Sequence, residues 1–355
     1  MRAIILSHLY LDPERRGKLR ALAGLGVALT VGVPGGVAGE DGGVRLVPIP
    51  FRGDRDQPAT IEWDHPAIRR LFADFRPDVV QIEEEPATRI ASRAAREAAK
   101  LGIAVVLFSQ GHQPPRGFLA RRRAARSFRA ARAAIGANAV AAERLRELLP
   151  GRPVVALPQT GVSLPPPIER QPRDVLSIGY VGRLLPERGV DRLLRACATI
   201  MGAWTLTIAG SGPEQEELEQ LAQRLGLASR VHWLGGLTRD QVESLWPELD
   251  CLVLPAGPEA AGAERWSMIL LEAMARGVIP VVMAGGIPEA IVGPVGRIAE
   301  DGEALGVILQ TLRAYPEERP RLAEAARRRV LDQFVDAALA QETLALWRRV
   351  VGETR

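Results

Sequence analysis

The stretch AERWSMILLEAMARGVIPVV, Ala263 to Val282, runs from an apolar helix pattern straight into an apolar strand. That junction decides the fold class. VIPVVM (278–283) is apolar at consecutive positions, so both faces of the strand are meant for burial, as in a parallel sheet covered by helices. The helix pattern before it, SMILLEAMA, holds one carboxylate, Glu272. At about 100° per residue Glu272 projects between the directions of Met268 and Ile269, which is not a polar face. An ionised carboxylate in apolar surroundings is costly unless something bonds it. Either Arg276, one turn on, pairs with it along the helix surface, or a ligand does.

The same alternation extends outward. In the second half VLSIGYVG (175–182), WTLTIAG (204–210), VHWLG (231–235) and CLVLP (251–255) read as strands. Helix patterns at 190–201, 214–226 and 240–249 separate them. In the first half strands are predicted at 3–7, 27–33, 78–82, 103–108, 134–138 and 154–158. Helices are predicted at 16–26, 65–75, 87–102, 118–134 and 141–149. The proline cluster of SLPPPIERQPR (163–173) can continue neither a helix nor a central strand. The reading is an α/β chain with an N-terminal Rossmann-like domain at 1–165, a linker at 166–173 and a second Rossmann-like domain at 174–316. The two face a central cleft, and helices at 317–355 follow the second sheet and cross back to the first domain. In such sheets ligands bind outside the carboxyl ends of the strands.

Bulk properties narrow the class. At 355 residues two domains are the natural division. No run of eighteen apolar residues is present, so no spanning helix is expected. MRAIILSHLY reads as a first strand rather than a signal peptide. The only cysteines, Cys197 and Cys251, suggest neither a metal site nor a disulfide framework, which fits a reducing cytoplasm. The net charge of +4 hides an asymmetry: residues 1–165 hold 25 Lys and Arg against 16 Asp and Glu. Much of that excess lies in RGFLARRRAARSFRAAR, Arg116 to Arg132, with seven Arg and no acid.

Chemistry-bearing residues gather at the strand ends of the second half. Gly182 allows close backbone approach, and Arg183 and Arg188 follow the first strand. Two guanidiniums there suit phosphate oxygens, although on spacing alone two solvated surface arginines are the simpler reading. Gly210 and Gly212 in AGSGPEQEEL precede a helix whose N-terminal amides suit an anion. The acids of that first turn are equally explained as capping. Gln215 stands where a dinucleotide G-x-G-x-x-G has its third glycine. In ERWSMILLEAMARG the helix starts near Trp266, with Glu264 in the loop before it. The amides of Ser267 and Met268 would meet a phosphate, Glu272 the hydroxyls of a ribose, and Glu264 those of a sugar.

VGRLLPERGVDRLL, LTIAGSGPEQEEL, VHWLGGL, LDCLVLP, ERWSMILLEAMARGVIPVV and GGIPEAI together resemble the donor domain of GT-B glycosyltransferases of family four. The resemblance covers about residues 175–295, with every motif in order, and ANAVAAERLRELLPGRPVVALPQTGVS (137–163) resembles the close of that family's acceptor domain. It implies transfer of a sugar from a UDP- or GDP-linked donor, with retention of anomeric configuration and without a metal. It implies that Arg183 and Arg188 neutralise the pyrophosphate, the second position being usually Lys. Glu264 and Glu272 match the E-x7-E pair on the sugar and the ribose. Trp233, Leu234 and Gly235 match the region that touches the base. Trp266, Ser267 and Met268 form the helix start, with Ser267 where Gly is usual.

The first domain departs further from the family. SHLYLDPERRGK lacks the glycine-rich loop, and His8, Asp12 and Lys18 carry no assigned role. In LFSQGHQPP, Gln110 and His112 both suit the polar residue that contacts sugar or acceptor, and a solvated loop histidine is the plain alternative. After another strand Glu85 is expected toward the acceptor, Glu83 and Glu84 toward solvent. The acceptor implied is a glycan, lipid-linked or small hydroxyl compound. The Arg-rich segment reads two ways, as a basic amphipathic helix for anionic lipid at the inner face of the membrane or as a solvated helix face. Ala124, Phe128, Ala131 and Ile135 would line its apolar side. With few aromatics near it, nucleic acid is not expected. The D-x-D at Asp54–Asp56 follows a polar loop and reads as chance rather than a metal site. A non-catalytic GT-B accessory protein that binds a nucleotide sugar or a protein partner is the alternative reading.

Overall fold

A computed structural model describes residues 1–54, 61–111, 117–162, 164–166, 173–257, 268–285 and 287–352. They fold as two compact units, one of 1–161 with 336–355 and one of 162–335.

The first unit is built on β1 (Arg2–Leu6), α1 (Gly17–Gly24), β2 (Ala28–Pro34), β3 (Gly39–Asp41), β4 (Val44–Ile49), the short β5 (Phe51–Arg52) and β6 (Glu62–Trp63), α2 (His65–Phe75) and β7 (Val79–Ile82). It continues through α3 (Arg89–Lys100), β8 (Ala104–Ser109), α4 (Phe118–Ala130), β9 (Ala133–Gly136), α5 (Ala139–Leu148) and β10 (Val154–Ala156). Its eight-stranded sheet runs β10-β9-β8-β7-β1-β2-β4-β3, parallel except for β3. Ile4, Ile5, Val79, Val80, Val105 and Val106 are fully buried, which is why these strands read as apolar runs, broken in β7 only by the buried Gln81. Thr88 and Asn138 cap α3 and α5 by accepting from the Ala91 and Ala141 amides.

Two departures from the sequence reading fall here. The segment 35–63 carries the β3–β4 hairpin and the β5–β6 ribbon, neither of which is an apolar alternation of the expected kind. The hairpin turns through Gly42 and Gly43 at φ +57° and +81°, a pair of left-handed positions that glycine fills without strain. The helix expected over 118–134 stops at Ala130, because Ala133 and Ala134 are taken into the sheet as β9 and fully buried between β8 and β10. Ile135 therefore lies on a strand rather than on the apolar side of the Arg-rich helix.

The second unit repeats the pattern with β11 (Leu176–Val181), α6 (Val190–Cys197), β12 (Trp204–Ala209), α7 (Gln215–Arg224), β13 (Val231–Gly235), α8 (Arg239–Leu245) and β14 (Cys251–Leu254). It ends with α9 (Met268–Ala275), β15 (Ile279–Met283), α10 (Ile287–Val292), β16 (Arg297–Ala299), α11 (Gly302–Ala314) and α12 (Arg319–Gln333). The sheet is parallel throughout, in the order β13-β12-β11-β14-β15-β16. The helices beyond 316 do not act as one block. α12 packs on α9 and β15, whereas α13 (Asp336–Gly352) packs on α1 and buries Leu339, Leu344 and Trp347 in the first unit's core. Full burial of each such side chain contributes roughly 1.5–3 kcal/mol. The chain passes between the units at 161–162 and 335–336 rather than at the proline cluster, most of which lies outside the described residues.

Candidate active site

In each unit the chain winds outward from its first strand, then returns to the other side of that strand. The reversal falls between β11 and β14 in the second unit and between β1 and β7 in the first. The gap above such a reversal is the crevice where open α/β sheets hold ligands.

In the second unit a cavity of about 300 Å³ occupies that place, lined by Tyr180, Gly182, Arg183, Arg188, Pro255 and Ile269 among others. Beyond the strand ends the backbone ladder continues. Gly182 N donates to Ala209 O (2.9 Å), Leu184 N to Ser211 O (3.1 Å) and Gly210 N to Gly235 O (2.7 Å). Glycine is demanded by this close approach: a Cβ on Gly210 would stand 1.8 Å from Gly182 O, and one on Gly212 2.1 Å from Leu184 O. Tyr180 donates its hydroxyl to Arg183 O at 2.8 Å, and burial pushes its pKa up to about 12, so it stays a neutral donor. Arg183 is exposed and Arg188 half-buried, and both face the same cavity. Arg192 joins the two sides of the crevice through its Nη1 bond to Pro255 O (2.7 Å). The described lining holds two guanidiniums and no acid, a setting for an anion.

Glu272, on α9, is 24% exposed at its side chain, and its Oε1 lies 3.9 Å from Nη2 of Arg239 at the start of α8. Burial raises its pKa, and Arg239 and then Arg276 pull it back. Arg276 turns instead to Glu243, with Nε 2.6 Å from Oε1, and to the Glu272 carbonyl through Nη1 at 2.8 Å. The Glu272 side chain thus leans toward the element that follows β13, where Trp233 is half-buried and Leu234 45% exposed. Met268 is half-buried at the first described turn of α9. Glu264, Trp266 and Ser267 lie outside the described residues, as do His112 and Asp56.

The first unit's crevice holds more than the sequence reading gave it. Glu83 and Glu84, expected toward solvent, are 3% and 6% exposed. Pairing of β1 with β7 turns both inward. Glu83 accepts from Lys18 Nζ (2.9 Å), Gln81 Nε2 (2.6 Å) and Gln159 Nε2 (3.1 Å), so its buried charge is paired and hydrogen-bonded. Glu84 holds His8, with Nδ1 2.6 Å from Oε1. Glu85 accepts from Ser109 Oγ (2.8 Å) and the Gln110 amide (2.7 Å). Its pKa is raised by desolvation of the carboxyl group, and these bonds oppose the shift. The residue as a whole stays exposed. The missed signal was register: residues just beyond the ends of two predicted strands meet if those strands pair.

α4 is held by Ser127 Oγ on Pro86 O and Arg123 Nε on Ala87 O, both at 2.7 Å. With α3 it forms a groove of about 760 Å³ lined by Arg96, Lys100, Arg122, Arg126 and Arg129. Phe118 and Leu119 at its start are exposed. No helix of the described residues is long and apolar enough to cross a membrane.

Two family models divide the chain between them. The glycosyl transferases group 1 model matches residues 167–329, and the glycosyl transferase 4-like domain model matches residues 16–160. A D-inositol 3-phosphate glycosyltransferase of Mycolicibacterium smegmatis is 30% identical over 190 residues, 52% of this chain and 42% of its own. A GDP-mannose-dependent alpha-(1-6)-phosphatidylinositol monomannoside mannosyltransferase of the same organism is 30% identical over 164 residues, 43% of each chain. The match spans less than half the length of these curated relatives. Among solved structures, Anabaena Alr3699/HepE in complex with UDP aligns over 97% of this chain and 99% of its own, with TM-score 0.66 and 18% identity, a likeness of fold.

Proposed function

The chain belongs to the group 1 glycosyltransferases, GT-B enzymes of the family-four type, and from that premise we propose that it moves a sugar from a nucleotide-diphospho sugar to a hydroxyl acceptor. The observation that carries the reading is the cationic crevice between β11 and β14. Breaking a glycosyl–phosphate bond leaves charge on the diphosphate, and Arg183 and Arg188 lower the barrier by stabilising it. Glu272 binds ribose hydroxyls beside the base, which rests near Trp233, Leu234 and Gly235. Glu264 binds the sugar. Ser267 and Met268 bind phosphate, with Trp266 preceding them in sequence. The acceptor lies in the first unit, against Glu85 and Gln110 or His112. Two relatives are named for an inositol phosphate and for GDP-mannose, and a solved neighbour holds UDP, which supports a UDP- or GDP-linked donor.

The transfer retains anomeric configuration and uses no metal, the arginines doing the work a cation would do. The groove of α3 and α4, with exposed Phe118 and Leu119 beside it, docks on an anionic membrane surface where a lipid-linked acceptor is met. The test is to incubate the protein with UDP- and GDP-linked sugars and follow the released or transferred sugar by proton NMR. The first product is expected to keep the donor's configuration, at a rate unchanged by EDTA. An inverted product refutes retention, and loss of activity in EDTA refutes metal independence.

A further inference from the structure

The groove between α3 and α4 carries a charge pattern that sugar transfer does not use. Arg122, Arg126 and Arg129 recur at steps of four and three along α4, so they share one face. Arg96 and Lys100 do the same on α3. The described lining thus holds five cations and no acid. Ala99, Ala125 and Ala130 complete it, and their short side chains keep the groove open.

The other basic residues of these helices behave differently. Arg123 donates to Ala87 O at 2.7 Å, and Arg89 pairs with Glu62. Within the groove, Lys100 Nζ lies 3.7 Å from Glu97, which itself takes Arg69 Nε at 3.1 Å. The guanidiniums of Arg96, Arg122, Arg126 and Arg129 have no ion pair or hydrogen bond among the described residues. Like charges one turn apart on a helix repel, so this row costs stability and makes no internal contact in return. Their placement is nonetheless held. Ser127 Oγ on Pro86 O and Arg123 Nε on Ala87 O tie α4 to the turn that leads into α3.

Shape narrows the occupant. At 1.5 Å per residue the row from Arg122 to Arg129 is about 10 Å long. One phosphate engages one or two guanidiniums, so two such rows suit several phosphates on one molecule. A flat charged surface meets projecting side chains and does not fill a concave space of about 760 Å³. We propose that this groove is a binding site for one compact anion carrying two or more phosphate groups, bridged by cations of both helices. The inference goes beyond the glycosyltransferase reading and does not depend on it. A soluble polyphosphate and a multiply phosphorylated lipid headgroup both supply this chemistry.

The test is calorimetric titration of myo-inositol hexakisphosphate and of tripolyphosphate into the full chain at about 0.15 M salt, where charges beyond about 8 Å are screened. A step of one anion per chain is expected. Arg96→Ser/Arg126→Ser, with one cation removed from each helix, should weaken it about tenfold or more. Ala125→Trp, which fills the groove and keeps every cation, should weaken it as much. Arg121→Ser/Arg146→Ser, which removes two cations outside the lining, should bind as the wild type does. All five positions are exposed, so the variants keep their fold, as melting curves will check. Cosedimentation then assigns the source. A preference for phosphatidylinositol bisphosphate vesicles over phosphatidylglycerol vesicles of equal surface charge, lost in Ala125→Trp, marks a lipid headgroup. Equal sedimentation with both marks the soluble anion, and sedimentation with neither also removes the membrane role. Equal affinity in the wild type and Ala125→Trp, equal loss in Arg121→Ser/Arg146→Ser, or no anion bound by the wild type overturns the proposal, whatever the outcome with nucleotides.

Discussion

Glu272 carries an acceptor-only side chain into a half-buried position, with Arg239 Nη2 3.9 Å from its Oε1. Ribose hydroxyls satisfy such a carboxylate at short range, and a hydrogen bond to a charged group contributes about 1.5–3 kcal/mol. The wild type is therefore expected to prefer UDP or GDP to the matching 2′-deoxy nucleotide by about tenfold or more. In Glu272→Ala that preference should vanish; a preference kept by the variant, measured by competition, places the ribose elsewhere. This residue was legible in the sequence because its neighbours are apolar and it is not. Glu83 and Glu84 were not legible. Their partners Lys18 and His8 stand 65 and 76 positions away, and only the pairing of β1 with β7 brings them together.

At the scale of elements, strands that are apolar on both faces announced themselves. β14 and β15 fall where consecutive apolar residues put them and are buried throughout, since a parallel sheet between helix layers buries both faces, whereas Ser177, Val181, Thr205 and Thr207 on β11 and β12 are half-buried. The hairpin of β3 and β4 lies at the sheet edge, where Glu40 and Arg45 face each other and the apolar signal is diluted. Its Gly42–Gly43 turn was the available clue. α4 was overextended because Ala133 and Ala134 suit a helix as well as a strand, and tertiary burial decided between them. The basic groove belongs to this scale too. Cosedimentation with vesicles rich in anionic lipid is expected to fall when Arg122, Arg126 and Arg129 all become Ser, at roughly 1 kcal/mol of attraction per cation near the surface. Binding that is equal for the variant and the wild type removes the membrane role.

At the scale of the molecule, the fold repeats one solution twice: a parallel sheet whose order reverses beside its first strand, with polar chemistry at the reversal. The two crevices differ in charge. The second unit presents Arg183 and Arg188 among backbone amides, and the first presents Glu84 and Glu85 with His8. An anionic group suits the former. The second unit's crevice could be located from sequence because its residues lie close along the chain after successive strands. The first unit's crevice is assembled from the ends of β1, β7 and β8 and needed the sheet order to be seen. Calorimetric titration of UDP and GDP into the full chain tests the central claim most directly. One of them should bind at one site per chain, and Arg183→Ala should weaken it about tenfold or more while the protein stays folded. Binding of neither nucleotide, or equal binding by the wild type and Arg183→Ala, would contradict it.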